Sequence, residues 1–208
     1  MAKQFLKNAY KLANAGATKD LYRDWAATYD EEITANGYAS PVRTAEALVK
    51  SGAPLDGPVL DIGCGSGVSG LFLRDAGFTE LHGSDFSPEM LALAQEKGLY
   101  KSLNHADLRD PCEFVTEPFP VIAAIGVLAP GHAGPEVIET VLGLLTEGGL
   151  FGFSMNDHTL ENPDYLSEIN RLVREKRIRV RWQDYGDHLP GIELNSMIVV
   201  LERLATAK

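Results

Sequence analysis

The apolar positions of this chain change their period part way along. Residues 3–15 set Phe5, Leu6, Ala9, Leu12 and Ala13 on one side of a helix. Over residues 20–36, Leu21, Trp25, Thr28, Tyr29 and Ile33 recur at steps of three or four, which predicts a second helix. Pro41 can open a third, carrying Val42, Ala45, Leu48 and Val49 and stopping near Gly52. Beyond that point short apolar runs alternate with helical stretches. Strands are predicted over 58–62, 80–85, 100–106, 121–128 and 150–155. The 121–128 run carries no charge, as in a strand buried on both faces. The helices between them cover 68–76, a segment capped by Ser87 with Pro88 at its first position, and 135–145.

Strand–helix alternation implies a parallel sheet with helices on both faces, a doubly wound α/β fold. After a helix over 164–176, the runs 178–185 and 197–203 are joined through Gly-Asp-His-Leu-Pro-Gly, with no helix between them. They must therefore pair antiparallel, and the sheet ends in a hairpin. Residues 1–52 read as an N-terminal helical cap and residues 53–208 as the ligand-binding domain, together one structural unit.

Composition narrows the class. With 208 residues, 45% hydrophobic and 23% charged, the chain is an ordinary globular protein of one domain with additions. Its net charge of −10 repels phosphate backbones, which argues against a nucleic-acid partner. The one basic stretch, 171–181, reads as a solvated helix end running into a strand. Cys64 and Cys112 read as free thiols of a reducing compartment. No apolar run approaches the ~20 residues that span a bilayer, and the opening segment has no secretory core. The expectation is a cytoplasmic protein with no membrane partner, monomeric or homodimeric. The scattered histidines and distant cysteines offer no metal-ligand spacing, so no metal is expected.

The chemistry concentrates in LDIGCGSGVSG, residues 60–70. From Gly65 it matches G-x-G-x-x-G, a dinucleotide-binding turn; from Asp61 it matches D-x-G-x-G-x-G. Either way, glycines let a ligand approach the backbone at a helix N-terminus, at the carboxyl end of the sheet. Asp61 is a poor neighbour for pyrophosphate and suits a cationic ligand. Asp85 ends the second strand, where a carboxylate takes ribose hydroxyls. Asp107 ends the third, where it can accept from an adenine amino group. Three acids at three neighbouring strand ends describe a ligand with an ammonium group, a ribose and an adenine, but no phosphate. S-adenosylmethionine (SAM) has those parts.

These residues resemble the class I SAM-dependent methyltransferases. VLDIGCGSG resembles their first motif, LHGSDFSPEML the second and HADLRD the third; IAAIGVLAPGH falls at the fourth and TEGGLFGFS at the turn into strand five. LYRDWAATYDEEITANGY resembles the cap of small-molecule methyltransferases, the methyltransferase-like 27 type in particular. The likeness covers residues 20–205 and implies a Rossmann-like, seven-stranded, mostly parallel sheet of order 3-2-1-4-5-7-6. One departure stands out: where the family often has an acid before strand four, this chain has Phe119-Pro120-Val121.

The resemblance implies that SAM is the cofactor and S-adenosylhomocysteine (SAH) its product. Asp61 would order the turn and the ammonium, with Gly63, Cys64, Gly65 and Gly67 bringing backbone against the cofactor. Asp85 would hold the ribose, Phe86 and Met90 would flank the adenine, and Asp107 with Leu108 would contact it. Gly126 and Val127 would lie along the methionine arm, and Tyr22, Trp25 and Tyr29 would cover the sulfonium, a cation that aromatic faces attract. His132 and His158 are the candidate general bases. Pro111-Cys112 follows strand three rather than strand four, so it is not the nucleophile of a cytosine methyltransferase, and the Asn/Asp-Pro-Pro-Tyr motif is absent. The reading is a methyltransferase of a small molecule. The alternatives are a nicotinamide-dependent oxidoreductase and a non-catalytic SAM-binding protein.

Overall fold

A computed structural model describes residues 28–107, 114–130 and 133–205, together with Leu21 and Trp25. Among the described elements, α1 (Tyr29–Ala35) and α2 (Ser40–Lys50) precede β1 (Pro58–Ile62), α3 (Val68–Asp75), β2 (Glu80–Asp85), α4 (Pro88–Glu96), β3 (Tyr100–His105) and β4 (Phe119–Ala124). Then follow α5 (Glu136–Leu144), β5 (Leu145–Asn156), α6 (Asp157–Leu160), α7 (Pro163–Arg174), β6 (Ile178–Leu189) and β7 (Leu194–Arg203). The strands form one seven-stranded sheet of order β3-β2-β1-β4-β5-β7-β6. Only β7 runs against the others, pairing antiparallel with both β5 and β6.

Side chains alternate across the sheet, and each face buries its own layer. Leu60, Ile122, Ala124, Phe151, Phe153 and Leu201 face Val137, Val141 and Leu142 of α5 and Tyr165, Ile169 and Leu172 of α7. Val59, Val121, Ala123, Leu150, Ile198 and Val200 face the other way, against Ala45 and Leu48 of α2 and Leu73 of α3. The rings of Phe151 and Phe153 lie 4.7 Å apart in the first layer. Truncating either to a methyl would cost ~3–5 kcal/mol. Gly152 has no side chain because Leu48 occupies the space where one would go.

Element boundaries depart from the sequence pattern in three places. β4 stops at Ala124, not at 128, because Gly126 turns the chain with φ +73°. β5 begins at Leu145, before the Gly148-Gly149 pair, and absorbs it by a register shift against β4. The closing hairpin is longer than its apolar runs: the strands continue to Leu189 and from Leu194, leaving a 3-10 turn over Pro190–Ile192. Ser87 caps α4 as the sequence predicts, its hydroxyl accepting from the Met90 amide at 3.2 Å. Among the described residues no helix is long and apolar enough to cross a membrane, and no cluster of His, Cys, Asp or Glu could hold a metal ion.

Candidate active site at the glycine turn

Strand order reverses between β1 and β4, and the glycine turn leaves β1 at that switch point. Asp61 lies on the same face of β1 as Val59, so the pleat drives its carboxylate beneath α3. It is fully buried. Oδ2 accepts from Ser69 Oγ of α3 at 2.6 Å and from Tyr100 Oη at 2.7 Å. Oδ1 has no hydrogen-bond partner. Burial pushes the Asp61 carboxyl up to about 6; the two donors pull it down and the nearby Asp85 adds to the rise. A buried acceptor left without a donor costs ~1–3 kcal/mol, so this oxygen is a standing invitation to a ligand.

The turn itself folds back on β2. Gly63, Gly65 and Gly67 have φ of +65°, +53° and +89°, the left-handed region that side chains resist. The Gly65 amide donates to Asp85 Oδ2 at 2.9 Å, and the Ser87 amide donates to Asp85 Oδ1 at 2.8 Å. One carboxylate thus ties the glycine turn to the start of α4, and burial raises its pKa. A Cβ built on Gly65 would meet nothing within 4 Å, so the turn is open on that side. The other two glycines are enclosed. Gly63 is pressed against the Val127 side chain, and a Cβ on Gly67 would lie 3.3 Å from Ala94, Lys97 and Tyr100. Cys64 is buried and its thiol is pushed well up by burial and by the charges of Asp61 and Asp85, so it is inert.

The remaining predicted positions are distributed around this turn. Met90 is buried at the start of α4, and Phe86 is half-buried with its carbonyl accepting from His105 Nε2 at 2.9 Å. Asp107 is half-buried just past β3, in a loop held to β2 by the Ala106 amide donating to the Asp85 carbonyl at 3.0 Å. Gly126 is exposed; its amide donates to Ser154 Oγ at 2.8 Å, and the Tyr38 hydroxyl sits 2.6 Å from where its Cβ would be. Trp25 is buried with Ile33 of α1, Leu189 of β6 and Leu194 of β7, between the N-terminal segment and the closing hairpin. Tyr29 packs edge-on against it, with 4.7 Å between ring centroids. His158 is exposed on α6. Tyr22, Leu108, Cys112 and His132 lie outside the described residues.

The structure brings in residues that the sequence pattern did not single out. Asp30 of α1 accepts from Ser66 Oγ at 2.5 Å and from Lys97 Nζ at 2.7 Å, while Lys97 also donates to the Ser66 carbonyl at 2.8 Å. These three groups fasten the cap to the glycine turn and to the end of α4. The acid stands beside Tyr29 in the Tyr-Asp pair, which was the available signal. A second polar network lies where the cap meets β6 and β7. Arg43 donates to Ser196 Oγ at 3.1 Å; Ser196 and Ser40 hydroxyls are 2.8 Å apart; Ser40 Oγ is 2.6 Å from His188 Nδ1. Arginine can only donate, so Ser196 Oγ accepts from Arg43, and the two hydroxyls carry the hydrogen-bonded chain on to the His188 ring. Burial, aided by Arg43 and opposed by Asp157, pushes this imidazole down to about 4, so it is neutral. Tyr38 stands edge-on to its ring, 5.2 Å between centroids.

Comparison with known proteins matches this part of the chain. The methyltransferase domain family matches residues 59–149. Human methyltransferase-like protein 27 is 30% identical over 148 residues, 70% of this chain and 60% of the human protein. The chain therefore spans less than two thirds of that relative. A chain of the complex between the Haloferax volcanii Trm112 methyltransferase activator and its methyltransferase superposes with a TM-score of 0.68 at 18% identity, covering 91% of this chain and 99% of that one. Magnesium protoporphyrin IX methyltransferase of Synechocystis, solved with bound SAM, has a TM-score of 0.57 at 19% identity, covering 77% and 76% of the two chains. The sheet order and the glycine turn at its switch point agree with these matches: residues 59–149 are similar to the methyltransferase domain family.

Proposed function

We propose that the protein is a SAM-dependent methyltransferase acting on a small molecule. One observation carries the cofactor: two buried carboxylates, Asp61 and Asp85, flank an open glycine turn, and Asp61 Oδ1 has no donor. That combination suits a cation with ribose hydroxyls. It opposes a dinucleotide, because Asp85 already occupies the Gly65 amide that a pyrophosphate would need. The third glycine of G-x-G-x-x-G, Gly70, is taken up by Tyr100 and lies away from any ligand.

Bound SAM supplies a methyl group already activated on a sulfonium, so the transfer asks little acid–base chemistry of the protein. In this reading Asp61 and the backbone of 63–67 hold the amino-acid end, and Asp85 the ribose. Phe86, Met90, Asp107 and Leu108 enclose the adenine. Gly126, Val127 and the cap residues Tyr22 and Tyr29 border the methyl-transfer end, with Trp25 supporting Tyr29 from behind. Tyr38, whose hydroxyl overlies Gly126, joins the wall that the acceptor meets. A proton released by the acceptor goes to His132 or His158. The cap excludes water and fixes the line of approach. A net charge of −10 supports a small acceptor over a polyanion.

A thermal-shift panel tests the cofactor. SAH is expected to raise Tm and NAD to leave it unchanged; the reverse result overturns the reading. Incubation with methyl-labelled SAM and fractionated cell extract tests the acceptor. Label is expected in the small-molecule fraction. Label in RNA or protein overturns the acceptor class, and label in none, with SAH bound, identifies a binding protein without transfer.

A further inference from the structure

Tyr100 belongs to β3, the edge strand of the sheet, two strands away from β1. Its side chain nevertheless reaches Asp61. Three glycines keep the way open: a Cβ on Gly83 would lie 3.1 Å from the Tyr100 ring, one on Gly67 would lie 3.3 Å from it, and one on Gly70 would collide with the hydroxyl. The ring thus runs beneath β2 and α3 to deliver one hydroxyl to Asp61 Oδ2, beside the hydroxyl of Ser69. Nothing about core filling requires that hydroxyl, since a phenylalanine would fill the same space.

Resting on the methyltransferase reading, we propose that Tyr100 is a positioning residue of the cofactor site. Together with Ser69 it engages Oδ2 of Asp61, leaves the buried Oδ1 as the oxygen without a donor, turned toward the cationic end of SAM in this reading, and keeps the carboxyl ionised despite its burial. The charged form gains from each donated hydrogen bond, while burial and the neighbouring Asp85 oppose it. Cys64 is the other titratable group against Asp61 and stays protonated. Tyr100 is held far above its ordinary range by burial and by Asp61, so it donates at every working pH.

The test is Tyr100→Phe, which preserves the packing over the three glycines, with Ser69→Ala as a second route to the same loss. Two measurements are made on the whole chain. The first is the carboxyl carbon shift of Asp61 against pH, without cofactor. Its midpoint is expected to rise by ~1 pH unit in either variant. The second is the dissociation constant of SAH at pH 8 and pH 6. The Phe variant is expected to stay within about twofold of wild type at pH 8 and to lose ~5-fold at pH 6, as a midpoint raised by one pH unit from about 6 requires. An unmoved midpoint, or an equal loss of affinity at both pH values, overturns the proposal and leaves Tyr100 a packing residue. If the midpoint moves but wild type binds no SAH at any pH, Tyr100 still orders Asp61 and it is the methyltransferase reading that falls.

Discussion

The glycines of the turn differ in what they face, and so in what replacing them should do. Gly65 looks onto open space, Gly70 onto the Tyr100 hydroxyl. Gly65→Ala is therefore expected to fold, losing ~1 kcal/mol to its left-handed backbone. It should lower SAH affinity on the order of 100-fold, about 3 kcal/mol. Gly70→Ala should do the opposite, losing ~1–3 kcal/mol of stability by overpacking while changing affinity mainly through Asp61. Thermal melts and calorimetric titration of the two variants separate these outcomes. Asp61, Asp85 and the turn were legible in the sequence because a short strand, spaced glycines and strand-end acids are local signals. Tyr100 was not, since its role depends on crossing the neighbouring strand β2, and no spacing along the chain encodes that. The pattern left Trp25 open between core packing and the site, because helical periodicity marks an apolar face but not what covers it; Leu189 and Leu194 of the closing hairpin do.

At the scale of elements, the site depends on how α1 meets the glycine turn. Asp30 and Lys97 lie in helix α1 and at the end of α4, far apart in sequence, and meet over Ser66. Their side chains are 40% and 21% exposed, so the pair contributes at most ~1 kcal/mol to stability. In the proposed reading it holds α1 against the glycine turn. Lys97→Met and Asp30→Asn are each expected to speed SAH dissociation several-fold in stopped-flow traces while moving Tm by no more than ~4 °C. The double variant should behave like either single one, because both remove the same link. The strand–helix alternation and the antiparallel end of the sheet were readable from periodicity. The end of β4 was not, because the apolar run continues past Gly126 even though the backbone turns there. The closing hairpin also outran its apolar runs, as an edge strand exposed along most of its length carries little hydrophobic signal.

Over the whole molecule, two buried groups set opposing pH dependences. Asp61 rises from 3.8 to about 6 on folding, so the fold favours its protonated form. That contribution is complete below pH 3.8 and is lost as pH climbs through 6, at a cost of about 3 kcal/mol. His188 falls from 6.5 to about 4, so the fold favours the neutral imidazole. Its contribution is complete above pH 6.5 and is lost as pH drops through 4, again about 3 kcal/mol. Between pH 4 and 6 the two nearly cancel. Asp61→Asn is expected to be about 3 kcal/mol more stable than wild type at pH 8, with that advantage gone by pH 4. The His188 slope is then uncovered, and SAH affinity is lost at both pH values. Urea unfolding across this range checks it. A stabler fold that no longer binds is the signature of a carboxylate kept for a ligand.

The route taken by Tyr100 links four positions that are distant in sequence. Its aromatic ring can reach β1 only while residues 67, 70 and 83 have no side chain. A lineage that exchanged the tyrosine for a small residue would release Gly70, whereas Leu103 and Cys64 would still crowd Gly83 and a left-handed backbone would still hold Gly67. One that added a methyl group at 70 would first have to give up the ring. Substitution at 70 and 100 should therefore be inherited as a pair.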